Sequence, residues 1–304
     1  MLHLNIKDET SRLKAVVLGT PMGSGPIPRP EEAYDPKSLE HILAGTYPVE
    51  ENLYEEMEAF AAVFRKHGVE VFRPEIIKDC NQIFSRDIAF VIDDKLVKAN
   101  ILPDREEEFE AILHVLEKID PDCILYPPEE VHIEGGDVMP WHDYIFIGTY
   151  TGKDYPDYIT ARTNWEGVEY IERMFPAKKV KSFELRKSLT NPKENALHLD
   201  CCFQPIGKDK AIMHKNGFLI EEEYNWLVDY FGEENIFEIT ADEMYNMCSN
   251  VFSISQDVIV SEQNFTRLNS WLRTQGFIVE EIPYAEVSKQ GGLLRCSTLP
   301  LVRE

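Results

Sequence analysis

One order of elements recurs five times along this chain, and it restricts the fold more than any other feature: strand, strand, acidic amphipathic helix, strand. The first unit runs from Leu13 to Leu18, through a helix near Glu51 to Lys66, to Val69 to Phe72. Its helix puts Leu53, Met57, Phe60, Ala61 and Phe64 on one stripe. The second has Ile88 to Ile92, Leu96 to Ala99, a helix from about Arg105, and Cys123 to Tyr126, with Asp93-Asp94 as a hairpin turn. The third runs from His132 through Tyr144-Ile145-Phe146-Ile147, a helix after Thr163 and a strand near Val180. Thr163-Asn164-Trp165-Glu166 there reads as a capping box. The fourth has Leu197 to Ile206, Ala211 to Met213, a helix carrying Tyr224, Leu227, Val228 and Phe231, and Ile236 to Ile239. The fifth has Val251 to Ile254, Val258 to Val260, a helix with Phe265, Leu268 and Leu272, and Phe277 to Ile282. The tail from Gly291 to Val302 supplies one more strand.

Units that cannot bury their own apolar face must stack on neighbours, and a ring leaves no exposed strand edge. The expected fold is therefore a closed ring of five pseudo-symmetric α/β units, a single domain over residues 1–304. A doubly wound sheet competes, but no Gly-rich phosphate loop follows a strand.

Composition narrows the function. The chain carries 31 basic and 54 acidic residues, a formal charge of −23. Such a field repels phosphate backbones and anionic headgroups, so neither nucleic acid nor membrane is expected as a partner. No apolar stretch approaches the ~18 residues that cross a bilayer. The N-terminus lacks a signal-peptide pattern, and the expected location is the cytoplasm. Six cysteines lie scattered without Cys-x-x-Cys spacing, which argues against zinc ribbons and redox motifs. Cys123, Cys201, Cys202 and Cys248 read as small buried hydrophobes.

Four short segments carry candidate chemistry: Phe84-Ser85-Arg86-Asp87, Ile133-Glu134-Gly135-Gly136-Asp137, Leu197-His198-Leu199-Asp200 and Gly291-Gly292-Leu293-Leu294-Arg295-Cys296. Cys296 beside Arg295 invites a depressed thiol pKa. The period of two puts His198 and Asp200 on one strand face. That pair could bind a metal, satisfy itself in the core or act on a substrate. Glu134 and Asp137 could be the acidic ends of a turn, and Arg86-Asp87 a surface ion pair.

Taken together and in this order, the segments resemble the guanidine-modifying superfamily of arginine deiminases, dimethylarginine hydrolases and amidinotransferases. The run Thr163 to Tyr170 looks closer to glycine amidinotransferases. The resemblance spans about residues 80 to 304 and implies a five-unit α/β propeller. It implies Cys296 as nucleophile, His198 as general acid and base, and Glu134 as the carboxylate that orients His198. It implies Asp87 and Asp200 as the grip on a guanidinium, and Asn81 and Arg162 as contacts to the substrate's amino-acid end. The implied partner is a small guanidino or ureido substrate. No cofactor and no metal are implied, and a homodimer is compatible with the family.

Glu134 favours hydrolysis over amidino transfer, because the transferase pattern has Asp there. Two other classes compete. One is a metal-dependent hydrolase built on His132, Glu134, His198 and Asp200, which leaves Cys296 unused. The other is a binding protein on the same ring. Two long loops interrupt the rhythm. Pro21 to Pro48 reads as a surface loop. Thr149 to Ala161, with Tyr150, Tyr155 and Tyr158, is expected to form a lid over Glu134.

Overall fold

The computed structural model describes the backbone of residues 1–304 and every side chain but that of Pro156. Its strands form five three-stranded sheets. One contains Ala89–Ile92, Lys95–Lys98 and Ile124–Leu125. The next contains Val138–Trp141, Tyr144–Thr149 and Lys179–Glu184. Phe203–Ile206, Lys210–Met213 and Ile236–Glu238 form another. Phe252–Ser255, Val258–Glu262 and Ile278–Ile282 form a further one. In each, the first two strands are antiparallel and the third lies parallel to the middle one. A parallel neighbour requires a crossover. The amphipathic helices Trp165–Met174, Glu221–Phe231 and Thr266–Thr274 supply it in three of these sheets; the first two are acidic, and the third has two arginines and no acid.

The remaining sheet is assembled from both ends of the chain. Leu13–Leu18 pairs in parallel with Glu70–Phe72, across the helix Glu50–Lys66, whose buried face holds the expected Leu53, Met57, Phe60, Ala61 and Phe64. Its antiparallel partner is Thr298–Arg303. The tail thus completes the unit that lacked a second strand. Asp93 turns the expected hairpin with φ 51°.

Three local expectations fail for identifiable reasons. The helix after Arg105 is broken into Glu107–Glu110 and Leu113–Leu116. Between them the Ala111 carbonyl accepts from the Glu75 amide at 2.7 Å, outside the helix. Leu197 to Ile206 is not one strand. His198 precedes a 3₁₀ turn, Leu199–Cys201, and the strand begins at Phe203. The Asp137 carboxylate takes the Leu199 amide at 2.9 Å, which removes it from any ladder. The helix Trp165–Met174 is capped by Asn164 alone, whose side chain accepts from Gly167. Thr163 is occupied elsewhere: its hydroxyl donates to Asp137 at 2.6 Å and accepts from the Glu134 amide at 3.3 Å.

Arg295 ties the sheets to one another and is fully buried. It pairs with Glu9 at 3.1 Å and Asp200 at 2.9 Å, and donates to the carbonyls of Gly135, Gly136 and Val138. Replacing it with an apolar residue leaves two buried carboxylates unpaired. Arg295→Met is expected to lower stability by about 3–5 kcal/mol. Urea unfolding measures this, and a midpoint equal to the parent's would show that these pairs do not hold the sheets.

Candidate functional site

The site residues share one topological address. Asp87 lies in the helical turn Ser85–Ile88 before the strand Ala89–Ile92, and Glu134 lies just before Val138–Trp141. His198 and Asp200 precede Phe203–Ile206, and Cys296 precedes Thr298–Arg303. The remaining sheet contributes Asn250, ahead of Phe252–Ser255. Close approach of these turns explains the glycine pair after Glu134. A Cβ on Gly136 would lie 2.6 Å from the His198 ring, and one on Gly135 would collide with the Arg86 carbonyl.

The polar contacts form one buried network. His198 Nε2 is 2.7 Å from Glu134 Oε2, and Arg162 Nη1 donates to the same oxygen at 3.2 Å. His198 Nδ1 faces Asp87 Oδ1 at 3.8 Å. Arg105 donates to Asp87 Oδ2 at 3.0 Å and grips Glu108 through Nε and Nη2. Asp87 Oδ1 is buried without a hydrogen-bond partner. The Cys296 thiol lies 3.6 Å from Asp200 Oδ2, and Asn250 Nδ2 donates to its sulfur at 3.2 Å. Asn250 Oδ1 accepts the Arg295 and Cys296 amides, which fixes the turn that carries the thiol.

A cavity of about 840 Å³ opens onto this network. Asn81, Asp87, Arg162, His198 and Cys296 line it; Glu134 and Asp200 stand one layer behind. Asp200 is fully buried and borders the cavity through the thiol. Asn81 donates to Gln290 at 2.7 Å and accepts from the Ile83 amide. Arg162 donates from Nε to the Ile159 carbonyl and from Nη2 to the Tyr34 carbonyl.

Two expectations about this region are overturned. Arg295 does not depress the Cys296 thiol. Its charge is consumed by Glu9 and Asp200. Burial, Asp200 and Asp87 instead push the thiol well above its ordinary pKa. The lid over the cavity is also not Thr149 to Ala161, no described residue of which lines it. That loop is tied down behind Glu134 by the Thr151 amide on Glu184 and by the Ile159 carbonyl on Arg162. Residues of Pro21 to Pro48, including Tyr34 and Tyr47, form the cover. The helix Pro36–Leu43, capped by Asp35, gives this loop its shape.

Asp87, Glu134 and His198 place donor atoms within 4.8 Å of one another, and their types suit a divalent cation. The arrangement does not fit one. Arg105 and Arg162 already neutralise the two carboxylates, and Glu134 already holds His198 Nε2. His132 lies outside the group, with Nδ1 3.3 Å from the Asn100 carbonyl.

Asn250, Arg105 and Glu108 escape motif reading, and Asp137, though inside a motif, is given no role in the site by it. For Asn250 the repeat itself held the signal: every other unit starts with a chemical residue, and Ser249-Asn250 occupies that place.

Comparison with known proteins shows the family of the chain. Residues 46–303 match the family model for eukaryotic N,N dimethylarginine dimethylhydrolase, and the chain belongs to that family within the guanidino-modifying superfamily. It is 28% identical over 242 residues to the protein YkgA of Bacillus subtilis, covering 79% of this chain and 76% of YkgA. It is 27% identical over 207 residues to arginine deiminase of Pediococcus pentosaceus, covering 57% of this chain and 48% of that enzyme, so it spans about half of that relative. Among solved structures, the N-terminal domain of the cyanobacterial arginine dihydrolase ArgZ superposes with TM-score 0.78 at 17% identity, over 95% and 97% of the two chains. Inosamine-phosphate amidinotransferase StrB1 of Streptomyces griseus superposes with TM-score 0.77 at 16% identity, over 100% and 97%. These likenesses support a shared mixed α/β fold.

The His198 charge carries a stability signature. Burial opposes it, but Asp87, the Glu134 hydrogen bond and Asp137 together raise the imidazole to about 9 from 6.5. The stabilisation is fully present below about pH 6.5 and is lost as pH rises through about 9. Its size is on the order of 3 kcal/mol. The fall in stability from pH 6.5 to 9.5 is expected to be larger in the parent than in His198→Gln; equal slopes in urea unfolding would contradict the assignment.

Proposed function

We propose that the protein is a cysteine-dependent hydrolase of the guanidino group of arginine or an arginine derivative, working through a covalent thioether intermediate. The observation that carries this reading is the Cys296 thiol set among Asp200, Asp87 and His198 at the floor of a cavity, with one Asp87 oxygen left unpaired. A buried carboxylate oxygen without a partner is costly, and a planar cation with N–H donors relieves it. We read the five sheets as one closed propeller forming one domain, with its axis at this cluster. The pairing of the two chain ends in one sheet supports that closure.

Asp87 and Asp200 hold the guanidinium with its carbon facing sulfur. Both carboxylates push the thiol up; a cation placed between them cancels that push and favours the thiolate. Asn250 offers the thiolate a hydrogen bond. The thiol gives its proton to solvent as the cation binds, and the thiolate adds to the guanidino carbon, whose π electron pair moves onto nitrogen. The C–N bond breaks as the leaving amine takes a proton from His198 Nδ1, while Glu134 keeps Nε2 engaged. Water then adds to the amidino-thioether and gives a proton to His198. The C–S bond breaks as the hydroxyl proton of the adduct passes to sulfur, leaving a ureido product and the thiol. An amine in place of water would make the same site an amidinotransferase, a reading supported by the Thr163 to Tyr170 pattern and by the StrB1 likeness.

Three measurements test this reading. Cys296→Ser is expected to abolish turnover and the covalent adduct seen by mass spectrometry, whereas Cys248→Ser keeps both; turnover in the Cys296 variant refutes the mechanism. Asp87→Asn is expected to raise KM for a guanidino substrate about tenfold or more, by loss of an ionised acceptor. At pH 7 the free protein is expected to show no thiolate absorbance at Cys296, and guanidinium is expected to induce it. Incubation of arginine with and without glycine, assayed for ammonia, citrulline and guanidinoacetate, separates hydrolysis from transfer.

A further inference from the structure

Glu9 is a buried carboxylate outside the lining of the cavity and outside residues 46–303, which match the family model. A braced turn delivers it. Asp8 accepts the Thr10 and Ser11 amides at 2.8 and 2.5 Å. Thr10 donates to the Gly207 carbonyl at 2.7 Å, and the Ser11 carbonyl accepts from Arg303 Nη1 at 2.6 Å. Asp8 also bridges to Trp141. The start of the chain is thus pinned to the third unit, the fourth unit and the closing strand, with Glu9 aimed inward.

Glu9 takes Arg295 Nε and Nη2 at 3.1 Å each. Arg295 Nη1 goes to Asp200 Oδ2 at 2.9 Å, and the same Asp200 oxygen lies 3.6 Å from the Cys296 sulfur. One carboxylate oxygen therefore touches both the guanidinium and the thiol. Alone with Asp200, Arg295 would make a neutral pair, and sulfur would face little net charge. Shared with Glu9, it leaves negative charge on the sulfur side. Glu9 is ionised for this role: burial opposes its charge, but Arg295, Arg86 and Arg303 hold the carboxyl down to about 2.

The other groups around the sulfur are accounted for. Asp87, from Ser85–Ile88, is paired with Arg105. Cys201 follows Asp200, and His198 shares the cavity wall with Cys296. Tyr284, ahead of Ala285–Ser288, is a buried phenol that interacts with the thiol. Arg86 donates its amide to the Cys296 carbonyl at 3.0 Å and Nε to the Arg295 carbonyl at 3.3 Å. Arg86, Arg295 and Arg303 all face Glu9, so loss of its charge favours the thiolate whichever of them responds.

We infer that Glu9 is a positioning residue of this site: by holding Arg295, it keeps that guanidinium from neutralising Asp200, and so keeps Cys296 a thiol until a cation enters the cavity. This rests on the reading of Cys296 as the nucleophile.

The test follows iodoacetamide alkylation of Cys296 against pH in the parent, Glu9→Gln and Glu9→Asp, with the site assigned by mass spectrometry and no guanidino compound present. In Glu9→Gln the rate curve is expected to move down by about one pH unit, so that alkylation at pH 7 is about tenfold faster. Glu9→Asp, whose carboxylate is one methylene further from Arg295, is expected to shift less in the same direction. Circular dichroism and urea unfolding check that each variant is folded in the assay. A Glu9 with a structural role alone lowers the urea midpoint and moves the curve in neither variant; that result overturns the proposal. Where Glu9→Gln does not fold, the presence or absence of a shift in Glu9→Asp decides. Alkylation needs no turnover. A shifted curve in a protein that turns over no guanidino compound retains the Glu9 link and sinks the hydrolase reading, and turnover with an unmoved curve does the reverse.

Discussion

The buried guanidinium of Arg295 is the interaction on which the rest of the molecule depends. It joins Glu9 near the start of the chain, Asp200 from the fourth unit and the carbonyls around Gly135 and Gly136 from the third. It is covalently next to Cys296. A cation held this way is expensive to desolvate, and only a complete set of partners offsets that cost. Because those partners come from separate sheets, satisfying Arg295 and bringing the site together are the same event. Burial opposes its charge, and the paired Glu9 and Asp200 carboxylates outweigh that and hold Arg295 above its ordinary range.

The electrostatics at the thiol follow from that arrangement. Asp200 answers Arg295 on one side and faces sulfur on the other. Its negative charge therefore stabilises the fold and holds the thiol protonated at once. Arg162 does the converse for Glu134, keeping it ionised below its ordinary range despite burial, so that it can hold the charged His198. Within the cluster Asp87 Oδ1 keeps no hydrogen-bond partner, with the His198 ring 3.8 Å away.

Much of this was legible in the sequence. Hairpins and amphipathic helices follow local rules, so the repeats, the Glu50–Lys66 stripe and the Asp93 turn were readable. The motif segments pointed to the residues now found around His198, because the positions just before each sheet are where these turns meet. What could not be read was side-chain partnership at long range. Arg295 looked like a neighbour for Cys296, yet Glu9, 286 positions away in sequence, claims it. The His198 segment looked like a strand because nothing local announces that Asp137 takes the Leu199 amide. Thr163 looked like a helix cap for the same reason: its competitors, Asp137 and Glu134, lie in another segment. Loop length alone could not say which of two loops faces the cavity.

The strand after Cys296 closes the first sheet by pairing with Leu13–Leu18. Contacts of such sequence separation form late and slowly, because the chain entropy between them must be lost first. The Cys296 thiol therefore reaches Asp200 only when the opening and closing segments zip together. A partly folded chain carries all of these side chains yet has not brought them together. Topology here makes the gathering of these side chains around Cys296 a closing act of folding.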